Sequence, residues 1–175
     1  WALSPRLLEL DRPLLASDLA ARLRPAMERL RDATGETVGL LVRSGAAQVL
    51  TAVVPSREPL RFSPALGDAW PLHRGAGGKA QLMALPEAEV RAILAALPDP
   101  PDAEAMLAEL AACRARGWAR SVGERLPGVG AVAAPVPGAP GAVVNLSFPA
   151  FRVPEARIAE FGARLAAELA ALPGP

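Results

Sequence analysis

The sequence predicts an α+β fold, an antiparallel sheet flanked by helices. Three observations carry this. Runs rich in β-branched residues come in pairs joined by short glycine turns, which implies antiparallel pairing. Stretches with apolar residues three and four apart lie before, between and after those runs. The chain has 175 residues, 51% of them apolar, enough for one domain with a sizeable core. Aromatics make up only 4% and Tyr is absent, so that core must be built from Ala, Val, Leu and Ile.

The elements follow in order. Residues 4 to 10, S-P-R-L-L-E-L, read as a short helical turn with Ser4 as cap and Pro5 at the first helical position. Asp11 and Pro13 should break it. Ser17 should cap a longer helix from Asp18 to about Ala33, with Leu19, Leu23, Ala26 or Met27, and Leu30 on one face. Pro25 should kink that helix. Thr37–Arg43 and Gln48–Val54 form a hairpin around Ser44-Gly45-Ala46, and Leu60-Arg61-Phe62 reads as a short third strand. A helix is expected from about Gly77 to Ala84 and a second from Pro86 to Leu97. A third is capped by Asp102 and stopped by Gly117. Trp118–Val122, Val129–Val136 and Ala142–Phe148 read as strands. Pro154 opens the last helix, with a seam of Ile158, Phe161, Leu165, Leu169 and Leu172.

The stretch Pro71–Leu85, P-L-H-R-G-A-G-G-K-A-Q-L-M-A-L, concentrates unusual residues. It holds the chain's single histidine, His73, and its single lysine, Lys79. Taken alone it reads first as a tight strand-to-helix turn. The alternative is an anion site, because glycines expose backbone N–H groups and a helix N-terminus adds unpaired donors and partial positive charge. A phosphate-binding loop needs Gly, four residues, then Gly-Lys-Ser/Thr, and that pattern is absent here.

Composition excludes several functions. The net charge is +1 and spread along the chain, unlike the basic footprint of a nucleic-acid-binding domain. One Cys and one His exclude a disulfide framework and a Cys- or His-based metal cluster. No cofactor or metal is expected. No apolar run of ~20 residues would span a bilayer. Arg6, Glu9 and Asp11 interrupt what would be a signal peptide, so the expected location is cytoplasmic. The chain starts Trp1-Ala2-Leu3 without an initiator Met, and is read as a fragment whose preceding region has been removed.

No catalytic set emerges. His73 has no acid nearby in sequence and is read as a structural hydrogen-bonding residue. Cys113 falls on a helix face with Met106 and Leu110, as a small buried hydrophobe. Glu36, Asp68 and Glu124 sit beside glycines, where acids commonly serve turns. Arg114, Arg116, Arg120 and Arg125 flank Trp118 and are read, with Glu109 and Glu124, as a solvated face.

Three stretches in this order and spacing carry a family resemblance: P71-L-H-R-G-A-G-G-K-A, R114-A-R-G-W-A-R-S-V-G-E-R-L-P-G-V-G-A-V-A-A-P-V136, and G141-A-V-V-N-L-S-F-P-A-F-R152. Together they resemble the effector-binding domain of IclR-type bacterial transcriptional regulators, over essentially all 175 residues. The resemblance implies a GAF-like fold for residues 1–175 and, in the whole protein, a preceding winged helix-turn-helix domain that contacts operator DNA. It implies a homodimer or tetramer, and a small-molecule effector that alters DNA binding.

It also implies an effector pocket between the sheet and the glycine-rich turn. The amides of Ala76 and Gly77 would receive the effector carboxylate. Phe62, Trp70, Val129 and Ala131 would be apolar walls, and Ser121 and Ser147 polar positions. The family's L-S-x-S-G-P-A-F-R is shortened here to L146-S-F-P-A-F-R152, so Phe148 is expected to fill the space of a missing hydroxyl. A smaller or more apolar pocket follows. The alternative is a GAF-like oligomerisation module whose pocket is occluded by Trp70 and Phe148.

Overall fold

The computed structural model describes residues 5–172, with side chains from Asp18 onward; the proposed Ser4 cap lies outside them. The elements run α1 (Pro5–Thr34), β1 (Thr37–Ser44), β2 (Ala47–Val54), β3 (Ala69–Pro71), α2 (Gly75–Leu82), α3 (Glu87–Ala95), α4 (Ala103–Arg116), β4 (Ala119–Val122), β5 (Val129–Pro135), β6 (Ala142–Pro149) and α5 (Glu155–Ala170). A 3-10 turn, Ala150–Arg152, links β6 to α5. The six strands form one sheet in the order β3-β2-β1-β6-β5-β4, with every neighbouring pair antiparallel. Helices cover both faces, giving the α+β architecture expected.

Strand alternation divides the interior in two. Val38, Leu40, Val132, Ala134, Val144, Leu146 and Phe148 face α1 and α5, meeting Leu23, Met27 and Leu30 of the first and Ile158, Phe161, Leu165 and Leu169 of the second. Leu41, Leu50, Ala131, Ala133 and Val143 face the other way, toward α2, α3 and α4. The pairing of β1 with β2 slips between Leu40 and Leu41, leaving Thr51 as an extra residue in β2. Such a bulge switches which residues point to which face. Here it turns Leu50 and Gln48 away from the face that takes Ala52 and Val54, and toward α2.

Two local expectations are corrected. The break at Asp11 and Pro13, and the new start at Ser17, do not occur: α1 is one 30-residue helix. Pro25 has no N–H, so the helix lacks the hydrogen bond that position 25 would donate to the Ala21 carbonyl. Both residues are exposed, so water can serve that carbonyl, while buried Leu23, Ala26, Met27 and Leu30 hold the helix on the sheet.

The third strand lies at Ala69–Pro71, not at Leu60–Phe62. The Leu60 and Phe62 carbonyls accept side-chain donors instead, Arg152 Nη1 at 2.7 Å and Thr37 Oγ1 at 2.7 Å. Leu60 is 60% exposed, so no burial holds this segment against a ladder.

The remaining helices follow the sequence signals. Asp102 caps α4 by accepting from the Glu104 and Ala105 N–H groups, and Gly117 ends it in the left-handed region. Cys113 is fully buried on α4, and burial pushes its thiol pKa up. Among the described residues no helix is long and apolar enough to cross a membrane.

Candidate functional site

The site begins with α2. The helix starts at Gly75, two residues earlier than expected, so the whole glycine run is helical and all eight of its residues are buried. Gly75 has φ +84°, the left-handed backbone that lets the chain turn from β3 into the helix. Gly78 lies against the backbone of Leu72, where a Cβ would sit 2.7 Å from the Leu72 carbonyl carbon. At Gly77 a Cβ would run into Gln48 and Leu41. Small residues thus allow α2 to rest directly on the sheet.

The first amides of α2 already have partners. The Ala76 N–H donates to Ser121 Oγ at 3.0 Å, and the Gly75 N–H donates to Glu124 Oε2 at 3.2 Å. No side chain among the described residues accepts from the Gly77 N–H.

Lys79 is 1% exposed and donates to Glu109 Oε1 and Glu124 Oε1, each at 2.6 Å. An ammonium this deeply buried must be paired, and two carboxylates here surround one cation. Glu124 therefore ties the loop 123–128 to both the N-terminus and the body of α2. Lys79 lies close to the site, but its charge is fully engaged.

Beside this anchor is a small cavity of about 30 Å³, lined by Gly75, Ala76, Gly77, Ser121, Val129, Ala131 and Ser147, together with Leu41, Gln48, Arg125, Leu126 and Asn145. It has room for water but not for an organic molecule of several heavy atoms. Six of the eight residues implied by the family resemblance meet here. Phe62 and Trp70 do not line the cavity; they lie behind Arg125. Its guanidinium carbon is 3.9 Å from the Trp70 ring centroid and 5.3 Å from that of Phe62. A much larger groove, about 820 Å³, runs between Asp18–Arg22 of α1 and the β5–β6 turn and shares no lining residue with the cavity.

The polar floor comes from strand alternation. Asn145 and Ser147 share one face of β6, and Asn145 Nδ2 donates to Ser147 Oγ at 2.7 Å. Gln48 is 2% exposed. Its Nε2 reaches the Pro71 and Arg74 carbonyls at 3.4 Å each, while its Oε1 has no partner. Arg125 has neither a hydrogen bond nor an ion pair among the described residues. Burial pushes its pKa down, opposed by the nearby Asp68.

Several readings of single residues change. Phe148 does not enter the pocket: it faces α5, packs edge-on against Phe161 with ring centroids 5.8 Å apart, and covers Gly130. The pocket is closed by Arg125 and Leu126 of the loop instead. Of the residues read as a solvated face, Glu109 and Glu124 are exposed but turn one oxygen each inward onto Lys79, and Arg125 is half-buried. Glu36 is 4% exposed and holds Arg152 through two hydrogen bonds, whereas Asp68 accepts from the Ala65 N–H and serves its turn as expected. His73 has a buried Nδ1 without a partner, contrary to the role expected of it, and burial lowers its pKa.

Gln48 and Asn145 were not singled out from the sequence. A lone amide in each of the apolar runs Q-V-L-T-A-V-V and A-V-V-N-L-S-F is a usable signal, and for Asn145 the two-residue spacing to Ser147 strengthens it. For Gln48 the bulge at Thr51 hides the register.

Comparison with known proteins gives the same architecture a lineage. The family described as "Bacterial transcriptional regulator IclR C-terminal" matches residues 13–171. The HTH-type transcriptional regulator BhcR of Paracoccus denitrificans is 32% identical over 157 residues, covering 81% of this chain and 54% of that protein. The chain thus spans about half the length of the curated relatives it matches. An IclR-family structure from Rhodococcus sp. agrees with a TM-score of 0.80 at 29% identity, over 98% of this chain and 69% of that one. The IclR structure of Thermotoga maritima gives a TM-score of 0.80 at 24% identity, over 94% and 71%, and supports the fold. The chain belongs to the IclR family of bacterial transcriptional regulators, as its C-terminal, effector-binding domain.

Proposed function

We propose that this domain senses a small organic acid in the cavity between α2 and the sheet, and that binding there changes the DNA affinity of the whole regulator. The observation that carries the reading is the buried, unpartnered Gln48 Oε1 beside the Gly77 turn, with Ser121, Asn145 and Ser147 converging on the same small space. Polar atoms are seldom left buried and unsatisfied without a use. A ligand can shift DNA affinity only by binding two arrangements of the protein unequally. Those arrangements would involve a dimer or tetramer and a DNA-binding domain preceding this one. Kinship with bacterial regulators supports a cytoplasmic sensor rather than an enzyme.

The cavity's volume favours a second reading, an oligomerisation module with a closed pocket. Thermal denaturation with small carboxylic acids separates the two. The first reading expects at least one acid to raise the Tm, with the shift lost in Val129→Phe, which fills the cavity rim. Ser147→Val is the second cavity-filling variant should Val129→Phe fold poorly. If no acid shifts the Tm, or if the shift survives both substitutions, the module reading stands.

A further inference from the structure

The helix N-terminus is a poor place for an effector's charge in this protein. Its Gly75 and Ala76 N–H groups are held by Glu124 and Ser121. Lys79, the cation behind them, is shared between two carboxylates. A further anion placed there would meet the Glu124 carboxylate at once.

Arg125 is the opposite case. It is the single charged side chain lining the cavity. The Trp70 ring, 3.9 Å from its guanidinium carbon, gives it a fixed apolar neighbour. A guanidinium carries five in-plane N–H donors, and none of them has an acceptor among the described residues. Asp68, the acid nearest to it in effect, is already accepting from the Ala65 N–H. A partly desolvated cation with no direct ion pair has much to gain from an incoming carboxylate. Leu126, which closes the cavity beside it, is 47% exposed, so the Arg125 and Leu126 side chains can swing outward to admit one while Glu124 stays anchored on Lys79 and Gly75.

Resting on the effector reading above, we propose that Arg125 is the charge receptor of the pocket: its N–H edge takes the carboxylate of a small organic anion, and Trp70 and Phe62 hold it in place. The turn amides that the family resemblance pointed to are left with a steering role, through Ser121 and the Gly77 N–H. Specificity would then be for anions over neutral analogues, and would rest on one loop residue.

The test uses tryptophan fluorescence of the whole chain, with Trp70→Phe identifying the share reported by Trp70. Acetate and malonate are titrated at constant ionic strength, with acetamide and malonamide as neutral matches. The proposal expects saturable binding of the acids that weakens at least tenfold in Arg125→Gln. The amides, which gain nothing from the charge, keep their affinity. Arg125→Lys should recover only part of the loss, because an ammonium lacks the paired donors. If Arg125→Gln leaves acid affinity unchanged while Val129→Phe abolishes it, this proposal fails and the effector reading survives. Should the acids not bind, or bind regardless of both substitutions, the two fall together.

Discussion

The two faces of the sheet are made by the same strands, yet they differ in what they bury. Toward α1 and α5, β5 and β6 present Val132, Ala134, Val144, Leu146 and Phe148, an apolar surface without exception. Toward α2 the alternate residues begin as Ala133 and Val143 but end as Asn145 and Ser147, joined there by Gln48 and Ser121. The first face is packed for stability. The second gives up apolar contact at one end, where the glycines of α2 bring backbone and polar side chains together. The polar lining of the cavity and the apolar core are therefore separated by a single peptide unit along β6.

The largest expected effect lies on the apolar face. Phe148→Ala removes a fully buried ring and should cost about 3–5 kcal/mol in urea unfolding. A loss below about 1 kcal/mol would mean that this face tolerates a hole and that the contrast is overstated.

On the polar face, the double variant Glu109→Gln, Glu124→Gln leaves the Lys79 ammonium buried without a counter-charge. It should cost about 2–4 kcal/mol. Glu109→Gln alone should cost less, since Glu124 remains. Equal losses in the single and double variants would show that the two carboxylates do not share the lysine.

The smallest effect is a pH dependence. Burial lowers the His73 pKa from its ordinary value of 6.5. The unfolded chain therefore takes up this proton before the folded one does, so stability is present above the unfolded value and is lost as pH falls through the folded one. His73→Gln should flatten the fall in stability as pH drops below the ordinary histidine value of 6.5. A profile identical to that of the parent would place the dependence elsewhere.

Most of the fold was legible because its signals are local. The Asp102 cap, the Gly117 stop and the Gly45 turn each act within a few residues. The failures came where distant contacts decided. Nothing near Leu60 announces that Arg152 and Thr37 will take its neighbourhood's carbonyls. The site shows the same division. Family motifs brought together Ala76, Gly77, Ser121, Val129, Ala131 and Ser147 in one place. Arg125 was passed over because its partners, Trp70 and Phe62, lie more than fifty residues away in sequence. Phe148 was misplaced because a deletion in the motif suggested filling a gap, whereas the parity of β6 sends its ring to the other face.

Gly130 gives this arrangement a mechanical consequence. It lies in β5 between Val129 and Ala131, both of which border the cavity, and the Phe148 ring covers it from the opposite side. The wall between cavity and core is one backbone thick there. Ser147 and Phe148 are consecutive and point to opposite faces, so a displacement of Ser147 away from the cavity presses the Phe148 ring onto Phe161 of α5. The sheet at this point is a thin partition, with the cavity on one side and a helix on the other.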